Sequence, residues 1–360
     1  MNRTEGTSRP RIVAAPADVD AAWLTQVLAQ AGHDGVVEAF EAAGVGTGQV
    51  GQNVRFRLRY ASGSGPASIV GKFASDDPES RQTGISLLNY FREVRFYQEL
   101  RPTLDVQTPK VLFTDIDPET HAFSLMMEDL APAQQGDQLA GCGADEAALA
   151  IAELSRLHGP RWNDPTLADI AWLGGTEEQE GPNMVQQLWS GFFEGFLARY
   201  ASRLTAAEID CARTLGDRLD AYTARRPGPR TVTHGDYRLD NMMFGGPYPL
   251  AVVDWQSPAL GLGTADAAYF MGTALEGPER RACEREIIGD YHRRLQEYGA
   301  HDYDFATCWT DYRRAAYAGL VMAVIASMIV GQTERGDEMF MKMARRSVAM
   351  AIDLDAAATL

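Results

Sequence analysis

The sequence predicts an α+β protein whose chain forms two lobes meeting near Leu130. Three observations predict it. Short runs with the two-residue alternation of strands dominate residues 1–130. Longer segments with helical periodicity dominate residues 131–360. A short apolar island, Thr231 to Asp254, interrupts those helices with two strand-like pieces.

Taken in order, Met1 to Pro10 is polar and is expected to fray. Ala17 to Ala31 reads as a helix, with Val19, Trp23, Leu24, Val27 and Leu28 at helical spacing. Val36 to Phe40 reads as a strand running into Gly44, Gly46, Gly48 and Gly51. Val54, Phe56, Leu58 and Tyr60 alternate with Arg55, Arg57 and Arg59, the pattern of a half-buried strand with a basic outer face. Ser62 to Pro66 is a turn and Ser68 to Ala74 a third strand. Leu87 to Leu100 reads as one helix, followed by strands at Val111 to Phe113 and Phe123 to Met127. Later helices are expected at Ala144 to Leu157, Val185 to Ala201, Ala206 to Arg225 and from Arg280 onward. Within the last of these, Ala315 to Val330 is shorter than a membrane span and reads as a buried core helix.

The formal net charge of −16 gives a surface that repels nucleic acid and anionic membrane, so neither is an expected partner. Cys142, Cys211, Cys283 and Cys308 form no Cys-x-x-Cys pair and read as reduced packing residues. Met1 to Pro16 holds no apolar run of signal-peptide type, so a cytoplasmic protein is expected. Monomer and homodimer both stay open.

The sharpest motif is His234-Gly235-Asp236-Tyr237-Arg238-Leu239-Asp240-Asn241, followed by Asp254 at the end of an apolar run. Phosphoryl transfer asks for one carboxylate at the acceptor hydroxyl and oxygen ligands for Mg²⁺ on the phosphates. Asp236 is the candidate base. Asn241 offers a carbonyl oxygen and Asp254 a carboxylate to the metal, a set that suits Mg²⁺. Taken singly, such residues are ordinary turn formers or caps; it is the spacing that points to chemistry.

Gly46-x-Gly48-x-x-Gly51 fits both a dinucleotide fingerprint and a phosphate-covering hairpin. The alternating run after it reads as a strand, and a dinucleotide site needs a helix there. Lys72, on the next strand, suits a grip on nucleotide phosphates. Glu93 or Glu99 would pair with it. Arg238 reads equally as a contact to a phosphate or anionic acceptor and as a surface charge. His158 reads as a helix-end or packing residue.

In this order the glycines, Lys72, Glu93, Met126 to Leu130, His234 to Asn241 and Asp254 resemble the aminoglycoside phosphotransferase and choline kinase-like superfamily. The resemblance spans roughly Gly44 to Gly272 and implies a bilobal protein-kinase-like fold. Residues 1–130 would be the ATP-binding lobe and residues 131–360 the catalytic and substrate-binding lobe. It favours Glu93 as the partner of Lys72. It implies that the backbone at Glu128 and Leu130 meets adenine, with ATP and Mg²⁺ as cofactors. It gives Asp266 a bracing role under the catalytic loop, although Gly263-Thr264 stands where the family has Asp-Pro.

The expected activity is therefore transfer of phosphate from ATP to a small-molecule hydroxyl. A regulatory pseudokinase, a dinucleotide-binding oxidoreductase and a protein kinase are the rivals. His-Gly-Asp in place of His-Arg-Asp, with no Ala-Pro-Glu signal, argues against a polypeptide acceptor. Glu177, Glu178, Glu180, Asp266 and Glu276 would give an acidic acceptor pocket, and Trp172, Trp189 and Phe192 an apolar one. Amino sugar, amino alcohol, sugar and neutral hydroxy metabolite all fit as the acceptor.

Overall fold

The fold is known from a computed structural model, which describes residues 9–46, 51–174 and 183–360. Gly48, Glu177, Glu178, Glu180 and the first eight residues lie outside the described residues. The architecture is the expected α+β, bilobal, kinase-like one.

Helix α1 (Ala21–Gln30) begins where the Asp20 side chain accepts from Trp23 N at 2.7 Å. Strands β1 (Val36–Val45), β2 (Gly51–Ser62) and β3 (Ser68–Ala74) form consecutive antiparallel pairs. β1 runs five residues beyond the expected strand, through Gly44, because β2 pairs with it all the way to Val45. Two helices follow, α2 (Pro78–Ser86) and α3 (Asn89–Arg95), then a π-turn over Phe96–Leu100. The expected single helix from Leu87 is thus broken up, and α2 was not expected at all. Its start signals are present: Asp77 caps Ser80 N at 2.8 Å, and Pro78 sits in the first turn. It buries only Gly84, so it has no apolar stripe to betray it.

Strands β4 (Val111–Ile116) and β5 (Phe123–Glu128) complete an antiparallel sheet of order β1-β2-β3-β5-β4. Its outer face and α1 enclose one core, with Trp23, Phe56, Phe73 and Met126. The two-residue period turns Lys72 to the opposite face, toward α3.

After β6 (Gln134–Gln135) come α4 (Ala144–His158), α5 (Met184–Tyr200), α6 (Ala206–Asp217) and α7 (Leu219–Thr223). α6 and α7 divide the expected helix Ala206 to Arg225 at Arg218, whose guanidinium is held by the carbonyls of Ala357 and Leu360. The apolar island supplies β7 (Thr231–Thr233), β8 (Met242–Phe244), β9 (Leu250–Val252) and β10 (Ala259–Gly261). Helices α8 (Gly263–Ala274), α9 (Gly277–Glu297), α10 (Phe305–Arg314), α11 (Ala318–Ile329) and α12 (Glu334–Asp353) finish the chain. The expected helix from Ala315 is a 3₁₀ turn, Ala315–Tyr317, followed by α11. α8 is buried along almost its whole length, enclosed by α4, α10, α11 and α12. That central position makes it the frame of the site. Among the described residues no helix is long and apolar enough to cross a membrane.

Candidate active site

Lys72 pairs across the sheet with Asn53 and Leu125, which fixes its direction. Its Nζ lies 2.7 Å from Glu93 Oε2, 2.9 Å from Glu93 Oε1 and 2.7 Å from Asp254 Oδ1. Lys72 and Glu93 are both buried. Burial alone would lower the ammonium's pKa, but Asp254 and Glu93 together hold it above the ordinary lysine value. Burial raises the Glu93 carboxyl and outweighs the opposing pull of Lys72. Glu99, the other candidate on this stretch, pairs instead with Arg95 at 2.9 Å and with Trp172 Nε1 at 2.7 Å.

Asp254 has a left-handed backbone, with φ of 64°. Trp255 behind it stacks on Phe96 at 3.8 Å between ring centroids, nearly parallel. The residue after Asp254 is thereby packed against the π-turn that continues α3.

The loop after β7 hangs from α8. Asp266 accepts from His234 N at 2.6 Å and from Gly235 N at 3.1 Å. His158, at the end of α4, brings Nε2 within 3.4 Å of Asp266 and Nδ1 within 2.8 Å of Tyr291 OH. Gly235 has φ of 78°, and a Cβ there would run into Ser257 O. His234 Nδ1 accepts from Asp236 N at 3.2 Å, which leaves the proton on Nε2 to donate to Val253 O at 3.1 Å. One imidazole thus ties the loop to the residue before Asp254.

Asp236 is fully engaged. Its Oδ1 accepts from Tyr269 OH at 3.0 Å, and its Oδ2 from Asn241 Nδ2 at 2.9 Å. Arg238 Nε reaches both oxygens at 3.1 Å, and Arg238 Nη1 reaches Asp240 Oδ2 at 2.6 Å. Burial pushes the Asp236 carboxyl up, but the charge of Arg238 and the hydrogen bonds donated by Arg238 and Tyr269 bring it below its ordinary value. Arg238 is therefore an internal partner of the loop carboxylates, and its side chain is mostly buried rather than a surface charge. Asn241 Nδ2 also donates to Asp236 O at 2.8 Å, so the amide nitrogen is locked and the amide oxygen is the end available to a cation.

Tyr269 and Gln138 escaped the sequence reading. Tyr269 follows Asp266 at the i+3 helical spacing, and that signal was there to use. Gln138 accepts from Leu239 N at 3.0 Å and donates a backbone N–H to Asp240 at 3.0 Å; nothing local announces it.

Of the glycines, Gly46 has φ of 76°, and Gly51 lies opposite Ala74, where a Cβ would press on Phe73 O at 3.1 Å and Lys72 Cε at 3.3 Å. They are followed by β2, not a helix, so the frame of a dinucleotide fingerprint is absent at this point. At the linker, the Glu128 side chain accepts from Lys110 N at 2.8 Å and Tyr248 OH at 2.6 Å, and Leu130 O accepts from Ala133 N at 2.9 Å. Between them, Asp129 takes Arg55 in a two-pronged pair at 2.6 and 2.9 Å, plus Ser68 Oγ at 2.6 Å. Arg55 therefore fastens the linker to β2 instead of merely lining a basic face.

Beside the loop lies a cavity of about 160 Å³, between β7, β10, α8 and α11. Tyr269 forms part of its wall. The acidic lining anticipated from Glu276 does not form there, since Glu276 pairs with Arg346 at 2.6 Å. Trp189 is buried and stacks on Phe193 at 4.8 Å, a packing role.

The pattern of the phosphotransferase enzyme family matches residues 77–305, well over half of the chain. This chain belongs to that family. The family is one of phosphotransferases. Solved structures share the phosphotransferase fold at low identity. Aminoglycoside 2'-phosphotransferase-IIIa in complex with GDP is 13% identical, with a TM-score of 0.51 over 90% of this chain and 97% of that one. Choline kinase from Cryptosporidium parvum is 10% identical, with a TM-score of 0.51 over 88% and 89%. No curated protein matches the chain.

Proposed function

We propose that this phosphotransferase moves the γ-phosphoryl group of ATP to the hydroxyl of a small molecule, with Asp236 as the base at the acceptor. The observation that carries the reading is the convergence of two constellations: Lys72 between Glu93 and Asp254, and Asp236 with Asn241 on a loop suspended from Asp266.

Each residue has a task that its surroundings prepare. Lys72 is a fully charged ammonium and would hold the α- and β-phosphates, with Glu93 keeping it in place. Gly46, Gly48 and Gly51 would let backbone approach the phosphates. The backbone at Glu128 and Leu130 would meet the adenine. Asp236, ionised across the neutral range, would orient the acceptor hydroxyl and take its proton as the bond to phosphorus forms. Asn241 and Asp254 would hold Mg²⁺. Among the described residues no cluster of three or more His, Cys, Asp or Glu forms a metal cage, and these two oxygen donors match a cation whose other ligands are phosphates and water. Bound there, Mg²⁺ supplies neutralisation of phosphate charge. The relatives crystallised with GDP make GTP the competing donor, and ATP against GTP is a direct comparison.

Formation of ADP with a pool of hydroxylated compounds, read with ATP and Mg²⁺ and again after EDTA, tests this reading. Turnover is expected with the metal and none without it. Turnover unaffected by EDTA would remove Asn241 and Asp254 from the proposed metal site.

Arg238 gives a pH prediction. It holds Asp236 below its ordinary pKa, so Asp236 stays ionised to lower pH than a free carboxylate. In Arg238→Met, burial acts with less opposition, and the acidic limb of the kcat/KM profile is expected to move to higher pH. An unmoved limb in a folded variant would mean that Asp236 is not the group being titrated.

A further inference from the structure

Helix α8 reaches the catalytic loop at two points, one on its backbone and one on its carboxylate. Asp266 holds the backbone, accepting from His234 N at 2.6 Å and Gly235 N at 3.1 Å. Three residues on, along the same helix face, Tyr269 donates its hydroxyl to Asp236 Oδ1 at 3.0 Å. The other donors to this carboxylate, Arg238 Nε and Asn241 Nδ2, lie on the same loop as Asp236 and move with it. Among the described residues, Tyr269 is therefore the one donor that ties the carboxylate to a different element. That element is suited to the task, because α8 is buried along almost its whole length and Tyr269 is only 3% exposed. Burial, with the charge of Asp236 beside it, holds the phenol well above the ordinary tyrosine pKa, so the hydroxyl keeps the proton that it donates. Without this bond, Oδ1 would keep only Arg238 Nε, which is shared with Oδ2 at the same 3.1 Å. A donor forked between two oxygens binds each less well than a donor aimed at one, because its N–H points between them. The same guanidinium is also drawn to Asp240 at 2.6 Å.

We propose that Tyr269 is a positioning residue for the base: it fixes the direction in which the Asp236 carboxylate meets the acceptor hydroxyl, and it acts on the rate only through Asp236. The proposal rests on the reading of Asp236 as the base. Its consequence is confined to the chemical step. Among the described residues no hydrogen bond joins Tyr269 to Lys72, Asn241 or Asp254, so loss of its hydroxyl leaves the proposed nucleotide and metal groups in place. A base turned out of line, by contrast, costs rate, because proton transfer needs the reacting atoms aligned. The deletion is a clean one. Phenylalanine keeps the ring, which forms part of the cavity wall, and removes the oxygen alone.

A double-mutant cycle on the full chain tests this, read as phosphate ester formed from Mg-ATP and pooled hydroxylated compounds. Tyr269→Phe is expected to lower the rate at saturating Mg-ATP by about 10–10²-fold, part of what a positioned base contributes, with the KM for ATP within about twofold. In an Asp236→Asn background the same substitution is expected to cost no further rate, because the group it aligns is gone. Tyr237→Phe is the control. Its hydroxyl is also buried and on the same loop, but it donates to Ala150 O at 2.7 Å and not to the carboxylate. Whatever rate that variant loses should be lost equally in both backgrounds. Denaturant unfolding of the same proteins gives a second reading that needs no turnover: Tyr269→Phe and Asp236→Asn should be non-additive, since a hydroxyl binds a carboxylate more strongly than an amide oxygen. Additive losses in both readings, a rise in the KM for ATP without a fall in rate, or an unchanged rate in folded Tyr269→Phe overturns the positioning role and leaves Asp236 as the base. Near-normal turnover in Asp236→Asn alone overturns the base, and the proposal with it.

Discussion

Asp236→Asn is expected to lower the rate of phosphoryl transfer by about 10²–10⁴-fold, the contribution of a positioned general base, with Mg-ATP still bound. The carboxylate accepts from Tyr269, Asn241 and Arg238 at once, so its position is set by its own loop and by α8. An amide keeps one acceptor oxygen and places an N–H₂ against a donor, either Arg238 Nε or Asn241 Nδ2. That mismatch is expected to cost about 1–3 kcal/mol of stability. A thermal melt and a Mg-ATP titration separate the two effects. A folded, nucleotide-binding variant with near-normal turnover would mean that the base lies elsewhere.

Lys72→Met is expected to destabilise the chain by about 3–5 kcal/mol, because it leaves a buried carboxylate without its cation. Glu93 bears most of this, being buried where Asp254 is partly open to solvent. The sign of the pH dependence follows. With Lys72 gone, burial acts on Glu93 with less opposition and raises its folded pKa further above the unfolded value. Stability is then present below the unfolded pKa and is lost as pH rises toward the folded one. Denaturant unfolding should therefore show a larger loss at pH 8 than at pH 5. Adding Glu93→Gln to Lys72→Met should recover much of the loss at pH 8, since a neutral amide needs no counter-ion. The single variant should also lose use of ATP, and the double should not regain it. A stability loss independent of pH would mean that the deficit is one of packing and not of charge.

The parts of the site legible in the sequence are those whose chemistry demands neighbours in the chain. Asp236 and Asn241 sit on one loop, and Asp254 lies just past β9, the second short strand after them, so spacing alone announces them. Lys72 was legible because a strand lysine follows the glycines, whereas the residues alone left Glu93 and Glu99 open and only the family resemblance favoured Glu93. The fold class was legible because alternation and helical periodicity separate cleanly along the chain. What stayed hidden depends on distant segments. Arg238 carries no mark that it turns onto Asp236, since Tyr269, Asp240 and Gln138 define that corner only after folding. Arg55 reads like its neighbours on β2, yet Asp129 claims it from the linker. The cavity beside the catalytic loop needs α11 to close over β10 and α8, and nothing in the run Ala318 to Ile329 distinguishes a cavity wall from plain core. The helix α2 was missed for the opposite reason: its caps are plain, but it buries almost nothing.

The most direct test of the central claim is a phosphorus NMR time course of the full chain with Mg-ATP and pooled hydroxylated acceptors, run beside Asp236→Asn. The account predicts a new phosphate-ester resonance growing in step with ADP in the unsubstituted protein and absent from the variant. An ester forming equally in both would contradict the role of Asp236. ATP left unbound and unconsumed in both would contradict the phosphotransferase site itself.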